Sequence, residues 1–275
     1  MAKQAEYTII VAGLSYKDEG EYFPFLYGGD RTKLELSMEQ IKMIEAVSKV
    51  NPNTVVILVG GSAICMNSWI HKVNAVIMGW YLGMCGGIAL TRILFGDINP
   101  SGKLTITFPQ TTEQLFPLDI KSKNVIYDYW HDYRYFDKYN LNPEFPFGYG
   151  LSYSEFQYKE IKINKNIINE DDELSISVKI KNISEIKGEE VVQLYIGYND
   201  SKSNLKPVKE LKGFQKISLN PNEEKTVMFK IYSNDLSYYN TTSKMWEIKE
   251  GNYEILIGSS SRDIHLKEKF SVIKR

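Results

Sequence analysis

The apolar residues of this chain change their period part-way along, and that change limits the folds open to it. Over residues 7–96 they come as short unbroken runs set between helical stripes; beyond Phe156 they alternate with polar ones. Unbroken runs suit strands covered on both faces of a parallel sheet, and alternation suits antiparallel strands with one covered face. At 275 residues the chain is long enough for about two domains at roughly 150 residues each. The expected architecture is a partial parallel-sheet α/β sandwich followed by an all-β sandwich of immunoglobulin or fibronectin III type.

Residues 7–11 read as the first strand. Ser37-Met38-Glu39-Gln40 reads as a capping box, with the Gln40 side chain reaching back to the start of its helix. A stripe of Met38, Ile41, Ile44 and Val47 carries that helix to Asn51-Pro52. Residues 54–59 form a second strand ending at Gly60-Gly61. A short amphipathic stretch covers 64–70, a third strand 75–80, and a helix 86–95, closed by Gly96. Alternating strands and helices argue a parallel sheet with right-handed crossovers. Sites in such sheets lie beyond the carboxyl ends of the strands, here the segments 13–27, 60–62 and 80–83.

Residues 97–152 are rich in proline and aromatic residues, and read as an ordered connector lying across the α/β layer. Alternating runs then follow at 174–180, 191–196, 208–214, 225–232, 253–257 and 265–272, with Asn, Gly, Pro and Ser between them. About seven short strands with regular turns indicate the second sandwich. The absence of a paired cysteine framework favours the fibronectin III variety. The expected boundaries are 1–118 for the α/β part, 119–155 for the connector and 156–275 for the β-sandwich.

A net charge of -1 offers no electrostatic case for a nucleic acid or a membrane as partner. Cys65 and Cys85 fit no metal spacing and read as free buried thiols; the three histidines are scattered, so no metal site is expected. No signal peptide or membrane-spanning run is visible, which favours the cytoplasm for the chain as given. Asn182 and Asn240 begin formal glycosylation sequons.

The stretch 11–31 is where chemistry concentrates. Asp18, Glu19 and Glu21 crowd around Gly20. Tyr22, Phe23, Phe25 and Tyr27 follow, then Gly28-Gly29-Asp30-Arg31. Carboxylates transfer protons, and ring faces stack on the apolar face of a pyranose. The same residues also describe a solvated acidic loop. Gly60-Gly61-Ser62 after a strand could mimic the nucleophile elbow of a serine hydrolase, with His71 and Asp97 as partners. The elbow requires glycine two residues after the serine, where Ile64 stands, and the His precedes the Asp.

Three stretches resemble glycoside hydrolase family 3, the β-glucosidase and β-xylosidase family, in its C-terminal half. GLSYKDEGEY with GGDRTKLELS (13–37) looks like the family's acid/base loop. ILFGDINPSGKLTITFPQ (93–110) and YRYFDKYNLNPEFPFGYGLSYSEF (133–156) look like two of its signatures. Further on, NISEIKGEEVVQLYIG, PVKELKGFQKISLNPNEEKTV and EGNYEILIGSSSRDI resemble its fibronectin III-like domain.

The resemblance implies a retaining, exo-acting β-glycosidase with no cofactor, acting on terminal sugars of β-linked oligosaccharides or aryl and alkyl glycosides. It places Glu19 at the family's general acid/base, with Glu21 as runner-up and Asp18 third. That group must stay protonated near neutral pH to act as an acid. Tyr22, Phe23, Trp80 and Tyr81 are implied substrate contacts, and Asp30 and Arg31 a structural part of the loop. The turn 82–87 departs from the family, with Leu82 for Pro, and Met84 and Cys85 where Gln and Glu usually stand. The implied nucleophile Asp belongs to an N-terminal (β/α)8 barrel that these residues do not match. The chain is therefore expected to be a truncated portion needing that barrel in cis or in trans, with homodimerisation open. The alternative is a non-catalytic structural or carbohydrate-binding fragment. Selectivity among glucose, xylose and N-acetylglucosamine is not encoded in these residues.

Overall fold

Parallel pairing organises the N-terminal half: β1 (Thr8–Gly13), β2 (Thr54–Val59) and β3 (Ala75–Met78) lie in that order, with Ile10 opposite Val56 and Leu58 opposite Met78. The structure is a computed structural model and describes residues 1–20, 31–117, 122–127, 129–169, 172–198 and 207–273. The chain divides into two compact units. One comprises Met1–Asp97, Thr107–Tyr127 and Leu141–Phe145; the other comprises Ile98–Ile106, Asp128–Asn140 and Pro146–Arg275.

In the first unit, β1 is followed by a single helical turn, α1 (Tyr16–Glu19), and then by the crossover helix α2 (Met38–Val50). Helix α2 packs on β1 and β2 and buries Ile41 and Ile44. Complete burial of a side chain such as Ile44 stabilises by roughly 1.5–3 kcal/mol. Along β1, Ile10 and Ala12 are buried, while Ile9 and Val11 on the opposite face are 48% and 64% exposed. The expectation of a doubly covered β1 is thus corrected: an unbroken apolar run records what a strand can bury, and here one face is covered.

Strand β3 ends at Met78, short of the expected residue 80, because the backbone turns at Trp80 (φ 56°). Residues 64–70 fold without a regular helix, burying Ile64, Cys65, Met66 and Trp69. Helix α3 (Gly86–Leu94) stops where Gly96 takes φ 80°, the left-handed conformation that glycine adopts at no steric cost.

The second unit holds α4 (Asp132–Lys138) and the β-sandwich. One sheet pairs β4 (Phe156–Ile163), β6 (Glu173–Asn182) and β9 (Glu224–Tyr232). The other has the order β5 (Ile167–Ile168), β13 (Ile264–Val272), β12 (Gly251–Gly258), β7 (Gly188–Tyr198), β8 (Lys209–Leu219). A separate ribbon pairs β10 (Tyr238–Asn240) with β11 (Met245–Glu247). The period-two pattern has its expected result: along β6 every second residue from Leu174 to Asn182 is buried. Ile176, Val178 and Ile180 pack with Val192, Leu194, Ile196, Phe229, Ile255 and Ile257 in one apolar core.

Helix α4 packs on this sandwich. Tyr133 packs with Tyr195 and Leu256, and the Lys209 ammonium meets Asp137 at 2.5 Å. Tyr195 points to the outer face of β7, so an aromatic cover is needed there. Asn182 is buried, and its amide donates to the Ile186 and Leu219 carbonyls; its sequon is committed to the fold.

Candidate active site

The acidic stretch leaves β1 through a rigid path. At Gly13 a Cβ would stand 2.0 Å from the Val59 carbonyl oxygen, so the two strand ends meet at a distance only glycine permits. Leu14 donates its backbone N–H to the same oxygen at 2.8 Å. Ser15 then caps α1. Its hydroxyl accepts from Lys17 N–H, and the Asp18 carboxylate accepts from the Ser15 N–H and hydroxyl, both at 2.8 Å. The capping box therefore sits at Ser15–Asp18. The pattern Ser-x-x-Asp is its sequence signal. It consumes Asp18, the third acid/base candidate, in holding the turn.

Glu19, the last residue of α1, points into a socket of four donors. Gly61 N–H reaches Oε2 at 2.7 Å, the Ser62 hydroxyl reaches Oε1 at 2.8 Å, and the Arg31 guanidinium lies 3.2 Å from Oε1. The Tyr81 hydroxyl donates to Oε2. Gly61 is needed here as well, since a Cβ would fall 2.8 Å from the Tyr81 ring. Arg31 is fixed in turn by the Ser62 hydroxyl at 2.7 Å and by the carbonyls of Ala63 at 3.1 Å and Leu34 at 2.7 Å. Gly61, Ser62 and Tyr81 follow the ends of β2 and β3, at the edge where the strand order predicted a site, and Arg31 lies in the segment ahead of α2.

Burial opposes ionisation of Glu19, but the hydrogen bonds from Tyr81, Gly61 and Ser62 and the charge of Arg31 outweigh it, and its carboxyl is held below the usual range. The expectation of a carboxyl protonated at neutral pH is thus reversed in this structure. Donors aimed at a carboxylate favour its charged form.

The other expected site residues separate clearly. Tyr81 is at the socket, bonded to Glu19. Trp80 is half-buried, with its ring edge-on to Phe108 at 6.1 Å; its left-handed backbone turns the chain so that Tyr81 can reach the socket. Arg31 pairs with Glu19. Glu21, Tyr22, Phe23 and Asp30 lie outside the described residues. Ser62 donates to Glu19 and accepts from Arg31, so its hydroxyl is engaged by a carboxylate and a guanidinium and not arranged as a serine nucleophile. Cys65 is buried as expected, whereas Cys85 is exposed, a correction. Among the described residues there is no group of three or more His, Cys, Asp or Glu placed to hold a metal ion, and no helix is long and apolar enough to cross a membrane.

Comparison with known proteins decides the family. Residues 1–153 match the model of the glycosyl hydrolase family 3 C-terminal domain, and residues 190–261 that of a fibronectin type III-like domain. The chain belongs to glycosyl hydrolase family 3. It is 41% identical over 277 residues to thermostable beta-glucosidase B of Acetivibrio thermocellus, covering 98% of this chain and 36% of that protein. It is 37% identical to a beta-glucosidase of Bacteroides ovatus, covering 99% and 37%.

Among solved structures, a family 3 beta-glucosidase of Bifidobacterium adolescentis superposes with a TM-score of 0.90 at 29% identity, covering 99% of this chain and 40% of that one. A beta-glucosidase of Kluyveromyces marxianus in complex with glucose gives 0.86 at 35% identity, covering 99% and 32%. The chain thus spans little more than a third of the length of these curated relatives. The expected family, the α/β region and the fibronectin III-like sandwich are all supported.

Proposed function

We propose that this chain supplies the general acid/base, Glu19, to the active site of a retaining, exo-acting β-glycosidase that removes terminal β-linked sugars from oligosaccharides or aryl and alkyl glycosides. The observation that supports it most is the Glu19 socket, in which a carboxylate carried on a capped turn after β1 is held by donors beyond the ends of β2 and β3 and by Arg31. The relatives named as beta-glucosidases support the substrate class. The nucleophile is an aspartate on a (β/α)8 barrel, joined in cis or in trans.

The retaining reaction needs two carboxyls about 5–5.5 Å apart. In the first step the nucleophile carboxylate bonds the anomeric carbon, the glycosidic C–O bond breaks, and Glu19 gives its proton to the leaving oxygen. In the second, ionised Glu19 takes a proton from water, the water oxygen bonds the anomeric carbon, and the nucleophile carboxylate departs. The socket alone favours the ionised form, which serves the second step. The negative nucleophile nearby raises Glu19 for the first, and its conversion to a neutral ester removes that push.

The test uses the chain joined to its barrel. Glu19→Ala should depress hydrolysis of substrates with poor leaving groups by about 100-fold or more, and azide should restore turnover with a β-glycosyl azide as product. Unchanged turnover in Glu19→Ala, or azide rescue of Glu21→Ala instead, would overturn the assignment.

A further inference from the structure

Gln40 does not close the capping box expected of it. Its backbone N–H does reach the Ser37 hydroxyl, at 3.4 Å. Its side chain instead spans to the end of β1. The amide oxygen accepts from Gly13 N–H at 2.7 Å, and the amide nitrogen donates to the Gly13 carbonyl at 2.8 Å. The two bonds are complementary, and only this orientation of the amide satisfies both.

The physical need is plain. Among the described residues β1 is an edge strand of its sheet, and a backbone group facing away from the ladder needs a partner or costs free energy. An amide side chain supplies the donor and the acceptor that a further strand would.

The place where it does so matters more. Gly13 is pressed against Val59, its register partner on β2. From Gly13 the chain runs through Leu14 and the Ser15 cap to Glu19, six residues on. From Val59 it runs two residues to Gly61 and three to Ser62, which donate to Glu19. The carboxylate and two of its donors therefore leave the sheet from one crossing point, and Gln40 is the side chain that clamps it to α2.

We infer that Gln40 is a positioning residue, whose bidentate bond to Gly13 sets the geometry between Glu19 and its Gly61 and Ser62 donors. Calling Glu19 the reacting group rests on the function proposed above. The clamp itself is measured without activity, so either idea can fail alone.

The experiment is a carbon-13 carboxyl NMR titration of Glu19 in the 275-residue chain, assigned with Glu19→Gln. Gln40→Met keeps the side-chain length and removes both bonds. Ile44→Val, a core change in the same helix, serves as a destabilised control. The Glu19 midpoint should rise by about half a pH unit or more in Gln40→Met and stay in place in Ile44→Val. Gln40→Leu is neutral and also removes both bonds, so its midpoint should rise likewise; it carries the test if Gln40→Met does not fold. A Glu19 midpoint unmoved by Gln40→Met, unmoved by Gln40→Leu where that variant carries the test, or moved equally by Ile44→Val, would overturn the inference.

Discussion

Arg31 lies 3.2 Å from Glu19 while holding the Ser62 hydroxyl at 2.7 Å. One guanidinium therefore fixes both a carboxylate and one of that carboxylate's donors. The pair is well shielded, with side chains 9% and 13% exposed. Charge-assisted bonds in such surroundings orient both partners, and the planar fork of arginine suits the task better than a lysine would. The guanidinium thus orients the acid/base candidate itself.

The socket makes folding sensitive to acid. A carboxyl held below its ordinary value of 4.5 contributes stability that is fully present above that value. The contribution is lost as pH falls through the lower, folded-state pKa. Glu19→Gln removes the charge at every pH. The melting temperature of wild type should therefore exceed that of Glu19→Gln at pH 7, and the gap should close as pH drops below 4.5. A gap independent of pH, measured by circular dichroism melts, would contradict the depressed pKa.

How far the sequence shows these features depends on whether the interaction is local. Residues 54–59 are each apolar or β-branched, and the strand boundaries follow from them directly. The β6 alternation likewise names its buried face. The Gln40 side chain is different: Ser37 and Gln40 satisfy a local pattern, but a partner 27 residues away competes for the same amide and wins. Local spacing carries no trace of that competitor. Glu19 was distinguishable from Asp18 by Ser15-x-x-Asp18, whose capping geometry occupies Asp18. The socket's donors were visible only as strand ends, since which of Gly60, Gly61 and Ser62 faces Glu19 depends on the register of β1 against β2.

The two thiols should behave differently. Burial, together with the nearby Glu35 carboxylate, pushes the Cys65 thiol up to about 12, so it stays protonated and enclosed. Cys85 is exposed at the start of α3. Iodoacetamide at pH 8 should label Cys85 in the folded chain and leave Cys65 unmodified until denaturant is added. Peptide mapping that finds both labelled at equal rates under native conditions would contradict the burial of Cys65.

The exposed face of β1 should drive self-association of the isolated chain. Ile9 and Val11 sit on an edge strand with their apolar side chains 48% and 64% in solvent, and such an edge is a template for pairing. Sedimentation velocity should show species larger than a monomer that grow with concentration. Ile9→Thr with Val11→Thr keeps β-branching and should shift the distribution toward monomer. A monomeric wild-type chain across the concentration range would contradict this.

Asp137 ties α4 to the β-sandwich through two cations. Its carboxylate meets Lys209 at 2.5 Å and Arg262 at 3.0 Å, and the Asp137 and Lys209 side chains are 4% and 9% exposed. Burial pulls the Lys209 ammonium below its ordinary pKa, and the Asp137 charge opposes that pull. Removing Asp137 leaves a buried cation with Arg262 as its neighbour in place of an anion. Asp137→Ala should therefore cost about 3–5 kcal/mol, the range for breaking a buried pair. Adding Lys209→Met to that variant removes the stranded charge, so the double variant should be more stable than Asp137→Ala alone, and a double-mutant cycle by urea unfolding should show coupling of 1 kcal/mol or more, an order-of-magnitude figure for groups in contact. Additive effects of the two substitutions would mean that α4 is held by Tyr133 and its apolar neighbours, with the ion pair contributing nothing of its own.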